Sequence, residues 1–121
     1  MSQSFEPGDD LVLQLESGYG LLRVLAVEGE GEGDERVWHL LAYDEFFPDV
    51  ESAEKALREP SKLQVRKPHM ALTTRAFERT PAARLGNRPA TETELAAYWE
   101  WLQSPERRVS DRSALLMLGL R

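Results

Sequence analysis

Leu11-Val12-Leu13-Gln14-Leu15-Glu16-Ser17-Gly18-Tyr19-Gly20-Leu21-Leu22-Arg23-Val24-Leu25-Ala26-Val27 decides the fold class. Leu11, Leu13 and Leu15 alternate with Val12, Gln14 and Glu16, which is the period of two of a strand. Ser17-Gly18 is a short connection of the hairpin kind. Tyr19 to Val27 is apolar at almost every position apart from Arg23, as in a strand covered on both faces. Two antiparallel strands therefore open the domain, introduced by the turn residues Pro7-Gly8-Asp9.

Downstream, Glu28-Gly29-Glu30-Gly31-Glu32-Gly33-Asp34-Glu35 is a low-complexity acidic stretch, read as a hairpin loop. Its strict Glu-Gly alternation lacks the ligand offsets of a calcium loop, so no metal is expected there. Arg36 to Tyr43 forms a third strand with Val37, His39, Leu41 and Tyr43 on one face and Trp38, Leu40 and Ala42 on the other. Residues 49–58 follow as a short helix capped by Asp49, with Val50, Ala53 and Leu57 as its apolar stripe and Pro60 as its stop. Leu63 and Val65 suggest a short strand ended by Pro68. Residues 69–77 fit either a strand or a helical turn, and Pro81 to Pro89 reads as a loop.

Thr91-Glu92-Thr93-Glu94 has capping-box spacing. Leu95, Tyr98, Trp99 and Leu102 then recur at i, i+3, i+4 and i+7, giving an amphipathic helix ended by Ser104-Pro105. Ala114 to Leu118 is apolar and open as to type. Strands first and helices later indicate an α+β fold: a small curved antiparallel sheet or partly open barrel followed by a C-terminal amphipathic helix, in one domain spanning residues 1–121.

A chain of 121 residues that is 41% hydrophobic can bury a core without a staple. It has no cysteine, which excludes disulfides, thiolate nucleophiles and Cys-bearing zinc sites. The acidic N-terminus does not resemble a secretory signal, and no apolar run approaches the ~20 residues of a membrane helix, so a cytoplasmic protein without membrane contact is expected.

No motif of catalysis is visible. There is no G-x-S-x-G, P-loop or G-x-G-x-x-G, and the two histidines, His39 and His69, have no carboxylate at a diagnostic metal spacing. His39, inside a strand pattern, reads as structural, and His69 is the more interesting of the two. The expectation is a protein that is not an enzyme and needs no cofactor.

Charge is divided unevenly. Residues 1–60 carry 15 acidic and 4 basic side chains, whereas residues 61–121 carry 6 and 11, for a net charge of −6. Two binding readings follow. In the first, Asp44, Glu45, Phe46 and Phe47 supply aromatic anchors rimmed by charge, with Glu28, Glu30, Glu32 and Asp34 extending an acidic face toward another protein. The alternative places one phenylalanine at the barrel edge and the other flat on the helix. In the second, Arg75, Arg79, Arg84 and Arg88, preceded by Lys62, Arg66 and Lys67, would grip nucleic acid among aromatics; its alternative sets Trp99 in the core and leaves the arginines as a solvated face. The pI near 5.0 favours the protein partner.

Several of these segments occur in the order found in a known group. Phe5-x-Pro7-Gly8-Asp9 precedes the first strand. Gly18-Tyr19-Gly20 and Arg23-Val24 mark the second, and Trp38-His39-Leu40 the third. Phe46-Phe47-Pro48, His69-Met70-Ala71-Leu72 with Phe77, and Thr91-x-x-Glu94-Leu95-x-x-Tyr98-Trp99 follow. From Phe5 to about Leu102 the chain resembles the immunity protein 26 family of bacterial polymorphic toxin systems. Pro68 stands where the family carries glycine, and the last ~15 residues have no counterpart. The resemblance implies a small protein that binds and neutralises a toxin without chemistry; an acidic face would suit a basic toxin such as a nuclease, because complementary charge speeds encounter.

Overall fold

The computed structural model describes residues 5–29 and 36–120. Strands β1 (Asp9–Leu15), β2 (Gly18–Glu28), β3 (Val37–Tyr43), β4 (Val65–Thr73) and β5 (Ala82–Asn87) form one sheet in the order β4-β3-β2-β1-β5. Every pair is antiparallel, and the sheet is curved but does not close. The helices are α1 (Val50–Ala56), α2 (Thr74–Glu78), α3 (Glu92–Gln103) and α4 (Ala114–Leu118).

The alternation along β1 to β3 places two layers of core on the two faces of the sheet. Leu11, Leu13, Leu22, Val24, Trp38 and Leu40 face one side, where Ala76 and Phe77 of α2 and Ala114 and Leu118 of α4 cover them. Trp38 anchors this layer: its ring packs 4.9 Å from Phe77, and its indole N–H donates to Thr74 Oγ1 at 3.0 Å. Leu21, Leu25, Leu41 and Tyr43 face the other side, under Ala53 of α1 and the partly buried Leu95 and Tyr98 of α3. Burying each such side chain stabilises the fold by roughly 1.5–3 kcal/mol as an upper bound. The turn Glu16-Ser17 joins β1 to β2, with Leu15 opposite Gly18. A Cβ on Gly18 would lie 2.6 Å from the Phe47 carbonyl oxygen, so the residue there has to be glycine for the β3–α1 connection to lie against the hairpin.

Three expectations are corrected. The Pro81–Pro89 stretch is not a loop: residues 82–87 form the edge strand β5 and pair with β1. The flanking prolines stay outside the ladder, and Gly86 lies at the irregular register beside Asp10, where little side-chain bulk is needed. Pro68 does not end a strand. It sits in β4 where the register against β3 slips between the pairs Leu40–Met70 and Ala42–Lys67, so its missing N–H breaks no ladder bond. The inner face of α3 carries Trp101 instead of Trp99, which is 42% exposed. At 100° per residue, Glu94, Tyr98 and Trp101 form one stripe, and Trp99 lies more than a third of a turn from its centre. The capping box itself is present, with Thr91 Oγ1 accepting from Glu94 N and Glu94 accepting from Thr91 N.

Candidate functional site

Arg23, the single charge in the apolar run of β2, is fully buried. Its Nη1 donates to Gly8 O at 3.0 Å and to Asp10 Oδ1 at 3.1 Å; its Nη2 donates to Arg88 O at 2.8 Å and to Pro89 O at 3.0 Å. Nε lies 2.7 Å from Glu94 Oε2, an ion pair in which the N–H is not aligned on the oxygen. Arg88 closes the group, donating to Asp10 Oδ2 at 2.9 Å and to the Tyr43 hydroxyl at 3.0 Å. Burial raises the Tyr43 hydroxyl pKa against the opposing pull of Arg88. A buried charge needs this many partners. The cluster ties β1, β2, the chain after β5 and the start of α3 together, and two arginines face two carboxylates, so it is structural.

A second cluster lies between the sheet and α3. His39 of β3 is fully buried and is flanked by Tyr98 and Trp101, with ring centroids 4.5 and 4.6 Å away. Its Nε2 stands 2.5 Å from Glu28 Oε1, and its Nδ1 stands 2.8 Å from His69 Nε2. The two imidazole planes lie within 14° of each other with centroids 5.1 Å apart, so the rings meet edge to edge through that hydrogen bond. Burial lowers the pKa of His39, opposed by Glu28. Burial, the neighbouring His39 and Lys67 together push His69 down to about 4. Both rings are therefore neutral at pH 7. Beside them, between β4, α3 and the 108–110 segment, is a hollow of about 400 Å³ whose walls include His69, Trp101, Val109 and Met117. Among the described residues, no group of three or more His, Asp or Glu side chains converges as metal ligands would.

The remaining candidates lie at the surface. Phe46 is 51% exposed. It forms one wall of a hollow of about 310 Å³ shared with Leu15, Glu16, Gly18, Gly119 and Leu120. Phe47 points inward instead, packing on the α1 layer while its backbone pairs with Tyr19. One phenylalanine thus seals the sheet, and the other is left to solvent. Asp44 pairs with Arg66 at 3.1 Å, and Arg66 also donates to Leu118 O, which ties this turn to the end of α4. Glu45 accepts from Gln64 N. Glu28 is committed to His39, whereas Glu30, Glu32 and Asp34 lie outside the described residues.

The four arginines of the nucleic-acid reading divide into two pairs. Arg75 and Arg79 converge on Asp111, through its carboxylate at 2.6 Å and its carbonyl at 2.9 Å. Arg84 lies 3.8 Å from Asp9, and Arg88 is held by Asp10. Each has an acidic neighbour in the fold.

No protein-family model, curated protein or solved structure matches the chain. The reading of its function therefore rests on the arrangement of its own residues. Sequence reasoning singled out Phe46 and the acidic turn but missed the Glu28–His39–His69 chain. Those residues lie on three strands, and the one local signal was a histidine in an otherwise apolar strand pattern.

Proposed function

We propose that this protein is a non-catalytic binding module whose partner is another protein, docked on the face around Phe46. The observation that carries the reading is a half-exposed phenylalanine on the wall of a hollow that Glu16 also lines, with Asp44 and Glu45 just before that phenylalanine in the chain. Large aromatics at a concave spot, ringed by polar groups, are the usual anchors of interfaces. Leu116 is 67% exposed on α4, the helix whose C-cap Gly119 lines the hollow. The acidic rim selects a partner that presents an apolar side chain flanked by Lys or Arg. The resemblance to immunity proteins makes a basic toxin the natural candidate, and neutralisation would need only occlusion of the toxin's working surface.

The test is affinity capture from the source organism's lysate with the native protein and with Phe46→Glu, both nuclease-treated and read by mass spectrometry. A stoichiometric basic protein retained by the native chain and lost with Phe46→Glu supports the reading. Retention of every partner by Phe46→Glu refutes the face. Recovery only of species lost on nuclease treatment would favour the nucleic-acid alternative through Arg75, Arg79, Arg84 and Arg88.

A further inference from the structure

We propose that the hollow lined by His69, Trp101, Val109 and Met117 binds a small aromatic ring carrying one O–H or N–H donor, a ligand of the phenol class, whose hydrogen bond is received by His69 Nδ1. The site shares no lining residue with the Phe46 hollow and stands or falls independently of it.

The proton positions follow from the partners. The carboxylate of Glu28 can only accept, so His39 Nε2 carries the proton between them. A neutral His39 then has a bare lone pair on Nδ1, and the facing His69 Nε2 must donate to it. That fixes the tautomer of His69: its second nitrogen, Nδ1, is left as an acceptor. The two ring nitrogens point in diverging directions, so with Nε2 turned inward toward His39, Nδ1 looks away from the buried pair. Among the described residues no side chain or backbone donor reaches it.

Most of the other polar atoms near the hollow have a partner. The Trp101 indole N–H donates to Arg108 O at 2.8 Å, Ser110 Oγ accepts from Arg112 N, and the Ser110 backbone is bonded to Ala71 and Thr73. Arg108 pairs with Glu106 in nearly full solvent and specifies little. The site therefore asks for one donor and a flat apolar body. Met70, Met117 and Val109 supply soft walls, and Trp101 supplies an aromatic one. Thioether sulfur favours ring edges, and indole favours an offset ring. A volume of about 400 Å³ accommodates one such ring. An aliphatic alcohol would satisfy Nδ1 but leave the walls poorly filled; benzene would do the reverse.

The experiment uses the full, ¹⁵N-labelled chain and follows the Trp101 indole N–H, identified by its loss in Trp101→Phe, during titration with phenol and with anisole. Anisole keeps the ring and oxygen but has no donor. A saturable shift with phenol, binding at least about fivefold weaker with anisole, and loss of the phenol shift in Val109→Phe, which fills the hollow from a partly exposed position, are expected. Absence of a saturable phenol shift overturns the site. Equal binding of anisole overturns the role of Nδ1, and unchanged phenol binding in Val109→Phe overturns the location.

Discussion

Acidification should destabilise this fold through the His39–His69 pair well before its carboxylate ion pairs are lost. His69 titrates at about 4 in the folded chain, against 6.5 when unfolded. The groups facing it are His39 on β3, with Glu28 of β2 behind, Lys67 on its own strand, and Tyr98 and Trp101 of α3. Between pH 6.5 and 4 the unfolded chain binds the proton and the folded chain does not. Stability is therefore intact above 6.5 and falls as pH drops toward 4. One proton over that window corresponds to about 3.4 kcal/mol at 1.36 kcal/mol per unit. The ring is partly solvated, and screening reduces this to about 2 kcal/mol. A domain of this size has a total of about 5–15 kcal/mol. The assay is urea unfolding followed by tryptophan fluorescence from pH 7.5 to 4, comparing the native chain with His69→Gln. Glutamine keeps an N–H to offer His39 Nδ1 but does not titrate. The stability difference between the two proteins should change by about 2 kcal/mol across the window. Parallel curves, within about 0.3 kcal/mol, would refute the reasoning, because carboxylates titrate alike in both proteins.

Arg23→Met should destabilise by about 3–5 kcal/mol in urea unfolding, since it takes the guanidinium donor away from the carbonyls of Gly8, Arg88 and Pro89 and leaves Asp10, whose side chain is 4% exposed, and Glu94 with one cation fewer. Trp101→Ala should cost about 2 kcal/mol through lost packing on both histidines, whereas Trp99→Ala should stay within about 0.5 kcal/mol; equal effects would contradict the assigned face of α3. Phe46→Ala should leave stability within about 0.5 kcal/mol while weakening the captured partner about 30-fold by surface plasmon resonance. Charge reversal at Glu30, Glu32 and Asp34 should slow association with a basic partner and flatten its salt dependence; unchanged rates would exclude steering by that stretch.

The layers were legible wherever one strand carried its own pattern. The alternation in β3 sorted Trp38, Leu40 and Ala42 from His39, Leu41 and Tyr43 as the two core layers do. Asp49 and Thr91 announced their helices because capping is local chemistry. What stayed hidden depended on distant pairing. Ala82–Asn87 has no strand pattern of its own, being half exposed and glycine-bearing, and is held extended by β1. Pro68 looked like a terminator because the slip that accommodates it belongs to the β3–β4 pair, not to the segment. The choice between Trp99 and Trp101 turned on where α3 meets the sheet, and both fit a helical period. The histidine pair was invisible for the same reason: residues 39 and 69 meet only because β3 and β4 are neighbours.

The buried guanidinium also orders events in time. Arg23 emerges early during synthesis, but Arg88, one of the residues that satisfies it, lies 65 positions later. At about 5–20 residues per second, roughly 3–13 seconds separate the synthesis of Arg23 from that of Arg88. Over that interval enclosing the charge would cost its desolvation, and the edge of β1 that β5 covers in the folded sheet has no partner strand. The native enclosure of Arg23 is therefore complete only in a chain that extends through Arg88, Pro89 and Glu94, and burying the charge without them would cost its desolvation uncompensated.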